Sequence, residues 1–333
     1  MSEVKLPMIE NPPYKAFQIA AFYLGILMVD PLYINKFYNS YINLSVEKAR
    51  NMLDMCYPKY NWYTYDDCDF FIEALVIKHN PYNIDTEDPY RHLVNLILKK
   101  LKEGFFVKGH YDEFYISCKS AYKQRHYVHD YLLCGYNEEG RYFIGLGYTA
   151  TGFYEYYHVP FEEMYQSLIW TSENELIKPG HDLVRYEFLK VKPNRSYITD
   201  ISLIKNELFN FLNPQHMNTD KFLYGVDAYR FYIEHMEEEI DLRCVRVLME
   251  HKKIMRSRLE HLRDKMQIGV GDFIASYKAI EREAEIQFNL AMKYTLTEDV
   301  DTKHCVVDRA KRMMETEIPM LENLYKRIET ESI

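Results

Sequence analysis

GFFVKGHYDEFYIS (104–117), HYVHDYLLCG (126–135), RYFIGLGY (141–148) and FYEYYHV (153–159) share one texture. Each run is short, and aromatic or β-branched residues recur with period two, the pattern of a strand that buries one face. Strands are therefore expected at Phe105–Val107, Glu113–Ser117, His126–Gly135, Arg141–Tyr148 and Phe153–Val159, with Asn137-Glu138-Glu139-Gly140 as the turn of a hairpin. The chain from Gly104 to about Val191 reads as an antiparallel sheet, capped at one end by a short helix over Pro160–Leu168.

On either side of this sheet the period lengthens. Asn11-Pro12-Pro13 breaks the chain, and Tyr14–Met28 follows as a buried helix in which Phe17, Ala20, Ala21, Leu24, Leu27 and Met28 recur at helical spacing. Ser45–Met55, Tyr65–Lys78 and Tyr90–Leu101 carry the same spacing, separated by Pro58, Pro81 and Pro89, so the first hundred residues are expected to be mainly helical. After residue 200, helices are expected at Ser202–Leu212 and Phe222–Glu239. Three long apolar stripes then follow: Val245 to Met266, Phe273 to Tyr294, and Val306 to Ile328. Glu317 interrupts the last stripe and Pro319 is expected to kink it. Long helices with one stripe each pack as an antiparallel bundle. The expected class is α+β, with one domain over 1–195 and a helical bundle over 200–333, in keeping with about 150 residues per domain in a chain of 333.

Composition narrows the function classes. With 47% hydrophobic and 27% charged residues the chain is of ordinary globular type, and its 31 tyrosines need hydroxyl partners in a core or a cleft to line. A formal charge of −9 argues against a nucleic-acid binder. The apolar stretch Ala16–Val29 is shorter than the roughly twenty residues that span a bilayer, and nothing before it resembles a secretory leader. Cys56, Cys68, Cys118, Cys134, Cys244 and Cys305 are scattered, with no zinc-ligand spacing, which fits reduced thiols in a cytoplasmic protein without a metal or other cofactor.

A buried N-terminal helix followed by a sheet hairpin that carries a histidine is the order in which papain-like folds assemble a site. Over residues 5–170, Tyr-Val-His-Asp-Tyr-Leu-Leu-Cys-Gly-Tyr-Asn (127–137) and the strands around it resemble the butirosin biosynthesis protein H N-terminal family, papain-like relatives found in specialised-metabolite gene clusters. The resemblance implies a papain-like first domain and acyl transfer in biosynthesis, with a Cys accepting an acyl group from a carrier-protein thioester. His129 matches the family histidine. The matching nucleophile position, around Tyr14–Phe17, holds no Cys, Ser or Thr, and the matching acid position, Gly145–Gly147, holds no carboxylate. Two readings follow: a diverged acyltransferase, or a pseudoenzyme whose cleft grips a carrier protein or pathway intermediate.

Within that frame His129 is the candidate base, with a structural histidine as the alternative, and Cys118 the weak candidate nucleophile. Cys134 falls on the opposite strand face from His129. Cys68 sits among Asp66, Asp67 and Asp69, whose charges disfavour its thiolate. His126 and His129 are expected to point to opposite faces of a strand and so not to chelate a metal. Tyr14, Asp112, Tyr131 and Tyr148 are candidate substrate-binding residues, with sheet core as the alternative for the tyrosines. Arg243, Arg246, Lys252, Lys253, Arg256 and Arg258 make one helix basic, either a solvated face or a seat for an acidic carrier protein. The bundle is also a possible homodimer interface.

Overall fold

A computed structural model describes residues 3–56, 69–78, 88–174, 183–193 and 196–331. The chain forms two compact units, Met1–Asp30 with Tyr60–Arg195, and Pro31–Lys59 with Ser196–Ile333. The class is mixed α+β, with antiparallel sheets and a helical C-terminal region. Residues 31–56, placed with the first domain by the sequence pattern, pack with the C-terminal residues instead.

The first unit is built on a seven-stranded sheet. Its strands are β1 (Val4–Lys5), β4 (Phe70–Lys78), β5 (Phe106–Asp112), β6 (Val128–Asn137), β7 (Tyr142–Tyr148), β8 (Tyr154–Pro160) and β9 (Leu183–Val191). The order is β4-β9-β5-β6-β7-β8, with β1 beside the end of β6, and every pairing is antiparallel. Helices α1 (Gln18–Leu27), α3 (Pro89–Lys102) and α4 (Phe161–Asn174) complete the unit. Asp88 caps α3 by accepting from the Arg91 amide, and Pro89 occupies its first position, where no amide proton is needed. Leu93, Val94, Ile97 and Leu101 of α3 and Met164 and Leu168 of α4 bury themselves with Val107, Tyr111, Tyr131, Leu133, Tyr157, Tyr186 and Phe188 of the sheet. Each such large side chain contributes about 1.5–3 kcal/mol by leaving water.

Two expectations are corrected here. Phe70–Lys78 is strand, because the run Phe-Phe-Ile-Glu-Ala-Leu-Val-Ile-Lys pairs along its whole length with β9. Tyr65–Cys68 lie outside the described residues. Glu113–Tyr115 is a 3₁₀ turn rather than strand, since the Asp112 carboxylate at its head accepts from the Phe114 and Tyr127 amides and ends the ladder.

The second unit holds a three-stranded sheet, β10-β2-β3, of β2 (Leu44–Glu47), β3 (Met52–Met55) and β10 (Phe222–Tyr224). Its helices are α2 (Tyr33–Phe37), α5 (Ile201–Leu212), α6 (Gly225–His235), α7 (Leu242–Met266), α8 (Gly271–Thr297) and α9 (Val300–Glu331). Ser45–Met55 was expected to be helical and is a hairpin: burial alternates along both strands, and Asn51 takes the left-handed conformation at the turn. Phe222–Tyr224, expected within a helix, instead pairs with β2, and α6 starts only at Gly225. That residue has φ +53°, and a Cβ there would lie 2.2 Å from the Phe211 carbonyl oxygen, so only glycine fits. α7, α8 and α9 turn back on one another through left-handed Gln267 and Glu298, and α9 continues through Pro319. The three stripes are buried as expected except at Phe288, Tyr294 and Met320, which are half-buried, and at Met266, which is 39% exposed.

The basic residues of α7 divide: Lys252 and Arg258 are buried, Arg243, Arg246 and Arg256 are paired with Asp241, Glu250, Glu260 and Glu281, and Lys253 is exposed. Lys252 donates to Glu317 Oε2 at 2.5 Å, and Tyr277 donates to its Oε1 at 2.8 Å, which explains the carboxylate inside an apolar stripe. Along the same helix Cys244, His251 and Arg258, spaced by seven, bind the segment 38–53: Cys244 Sγ accepts from the Leu53 amide, His251 Nε2 donates to the Ile42 carbonyl, and Arg258 Nε donates to that of Tyr38.

Candidate functional site

The sheet and α1 converge at His129. The side chain lies near the start of β6, one-third exposed, and the first residue of α1, Gln18, reaches it. Glu113 comes from the 3₁₀ turn after β5 and is buried at 5% exposure. Its Oε1 is 2.9 Å from His129 Nδ1. A carboxylate oxygen accepts, so the pair has Nδ1–H donating to Glu113.

Gln18 lies against the face of the His129 ring. Its Nε2 is 3.2 Å from His129 Nε2 and 3.4 Å from Nδ1, too even a spacing for a bond along either in-plane position, and it donates to the Asp130 carbonyl oxygen at 2.9 Å. That carbonyl fixes the orientation of the amide. Gly147 of β7 leaves room for the arrangement, since a Cβ there would stand 3.3 Å from Gln18 Oε1. Behind the ring, burial pushes the Asp130 carboxyl up, but His110, Lys108 and His129 outweigh it and hold the group below its usual value.

Glu113 and His129 thus stand as orienting acid and base stand in a catalytic triad, with a carboxamide against the ring and no nucleophile. Among the described residues no thiol or hydroxyl hydrogen-bonds the His129 ring. Cys118, in the turns after Glu113, is not bonded to His129, and burial pushes its thiol up to about 11, away from the reactive thiolate. Cys134 is fully buried, its Sγ 3.5 Å from the Ile144 carbonyl oxygen, and Cys56 belongs to the second unit. Cys68, Asp66 and Asp67 lie outside the described residues.

The candidate binding residues divide. Tyr148 is half-buried at the end of β7 and donates to the Lys15 carbonyl at 2.8 Å. Tyr14 and Tyr131 are fully buried, so they are core rather than cleft walls. The Tyr131 ring stacks on Tyr111 with centroids 4.7 Å apart. Asp112 is likewise buried and holds His126, whose Nδ1 is 2.6 Å from its Oδ2. His126 lies just before β6, its ring parallel to Trp170 at 3.9 Å. Consecutive acids, Asp112 and Glu113, therefore hold one histidine each. Among the described residues no group of three or more His, Cys, Asp and Glu side chains is placed to hold a metal ion, and no helix is long and apolar enough to cross a membrane.

Sequence reasoning missed Gln18 and Glu113. A polar residue heading an otherwise apolar helix was the signal for the first. For the second, the carboxylate lies next to Asp112 in the turn after β5, far from the 145–147 position where the resemblance implies an acid.

The surface beside His129 is aromatic and cationic. Tyr127, 43% exposed, has its ring centroid 5.1 Å from that of His129, and the Arg125 guanidinium lies 5.4 Å from the Tyr127 ring. Lys123, also exposed, lies 5.0 Å from the Tyr122 ring, and neither cation has an ion-pair partner among the described residues. No protein-family model matches the chain, and no curated protein matches it either.

Proposed function

We propose that the protein is a non-catalytic relative of the papain-like acyltransferases its sequence resembles. In this reading it grips an acyl- or peptidyl-carrier protein, or the intermediate that protein bears, within a specialised-metabolite pathway. The observation that carries the reading is that, among the described residues, the His129 ring is met by the Gln18 amide and the Glu113 carboxylate and by no thiol or hydroxyl. A base with no nucleophile bonded to it has no proton to take. In a chain of formal charge −9, Arg125, exposed beside Tyr127, and Lys123, exposed beside Tyr122, supply the cations that an acidic carrier protein fits. The intact Glu113–His129 pair is what favours the acyltransferase alternative.

Incubation with acyl-pantetheine thioesters followed by intact-mass measurement tests the two readings. The expected result is no adduct, together with salt-sensitive binding of an acyl-carrier protein that Arg125→Glu weakens. An adduct that disappears in His129→Ala overturns the pseudoenzyme reading in favour of the acyltransferase.

A further inference from the structure

Of the two acid–histidine pairs, the one at His126 leaves a ring nitrogen open to solvent. Asp112 is fully buried; its Oδ1 takes the Phe114 and Tyr127 amides, and its Oδ2 lies 2.6 Å from His126 Nδ1. A carboxylate oxygen accepts, so Nδ1–H donates to Asp112, and in the neutral ring the lone pair then sits on Nε2, on the other side of the imidazole. The ring has little freedom to turn. It stacks on Trp170, centroids 3.9 Å apart and 3° from parallel, and on Phe114 at 4.4 Å and 25°. The side chain is nevertheless 37% exposed, and Nε2 has no hydrogen-bond partner among the described residues. Other exposed histidines differ: His110 and His158 use Nε2 itself on Asp130 and Glu3. Lys123 and Arg125, both exposed and without an ion-pair partner among the described residues, precede His126 and place positive charge on its approach.

We propose that His126 Nε2 is a phosphoryl-acceptor site, modified by a small donor of the phosphoramidate or acyl-phosphate class. The Nε2 lone pair attacks phosphorus, the N–P bond forms as the donor's own bond to phosphorus breaks, and ammonia or a carboxylate departs with the bonding pair. The Nδ1 proton stays in place, and the Asp112 carboxylate offsets the positive charge that the ring takes on. The added phosphoryl anion is offset in turn by the cations at 123 and 125. The step uses neither Gln18 nor His129, so it is independent of the carrier-protein reading.

Incubation of the folded protein with potassium phosphoramidate near neutral pH, followed by peptide mapping and ³¹P NMR to tell the two phosphohistidine isomers apart, tests it. His126 is expected to be phosphorylated at Nε2 about tenfold faster than His110 or His158, because its nitrogen is both unpaired and held in one orientation. Asp112→Asn is expected to slow that labelling and to spread it onto Nδ1, a change of isomer that a histidine with only a packing role would not show. Arg125→Glu alters only an exposed charge; it is expected to slow labelling of His126 and leave that of His158 unchanged. Labelling of wild-type His126 no faster than His110 and His158, or at Nδ1, overturns the proposal.

Discussion

Gln18 donates to the Asp130 carbonyl and lays its amide against the His129 ring, and those two contacts are what seat a carboxamide at the head of α1. A thiol in the same place would meet a histidine already oriented by a buried carboxylate, at a helix N-terminus that favours thiolate. Gln18→Cys is therefore expected to form an acyl adduct from acyl-pantetheine, seen by intact mass. Adding His129→Ala should abolish the adduct, and Glu113→Gln should slow its formation by about 10²-fold or more. A Gln18→Cys protein that folds and stays unacylated would show that the pair is not aligned for base catalysis. Tyr131 offers a simpler residue-level test. Its hydroxyl is buried with no partner among the described residues, so Tyr131→Phe is expected to be neutral or stabilising in urea unfolding. A loss above about 1 kcal/mol would mean that an ordered water bonds the hydroxyl.

Helix α7 shows what one element does through a heptad. Its apolar stripe meets α8, while Cys244, His251 and Arg258 read the backbone of residues 38–53. Burial, aided by Lys252 alongside, holds His251 well below its usual value, and burial alone brings Arg258 down to about 10. The His251 shift has a defined pH consequence. Below its unfolded value of about 6.5 the unfolded chain binds a proton that the folded one refuses, so stability falls as pH falls through that point. The slope approaches about 1.4 kcal/mol per pH unit and continues down to the depressed folded value. Comparing urea unfolding of wild type and His251→Gln from pH 7 to pH 5 checks this; identical slopes would refute it. At the start of α6, Gly225→Ala is expected to cost about 1–3 kcal/mol or more, because a side chain there meets both a positive φ and the Phe211 carbonyl.

The second unit as a whole is organised around a buried charge pair. Lys252 and Glu317 are fully buried. Lys252 Nζ is also 3.2 Å from His251 Nδ1 and 4.3 Å from the Tyr229 ring centroid, while Glu317 takes the Tyr277 hydroxyl. Residues from α6, α7, α8 and α9 meet there, so the pair specifies how four helices stand against one another. Removing one partner leaves an uncompensated charge, and Lys252→Met is expected to destabilise the unit by about 3–5 kcal/mol. The double variant Lys252→Met/Glu317→Leu is expected to recover most of that loss, as read by urea unfolding. Equal losses in the single and double variants would mean that the pair does not act as a unit.

Period-two and period-3.6 patterns carried much of this architecture in the sequence alone. β6, β7, β8, the hairpin at Asn137–Gly140, α3 and the three long stripes were legible because each depends on neighbours a few residues away. Where local pattern and distant pairing disagreed, pairing won. Residues 45–55 became a hairpin extended by Phe222–Tyr224, and Phe70–Lys78 became a strand on β9. The candidate site was legible only as His129. Gln18 is 111 residues from it in the chain, and Glu113 is 16 residues away on another element. The burial of Arg258 depends on a carbonyl 220 residues distant. Short-range periodicity specifies which face of an element is apolar. Which polar side chain ends beside which is decided only when the chain closes, because burial makes each buried donor and acceptor find a partner wherever the fold supplies one.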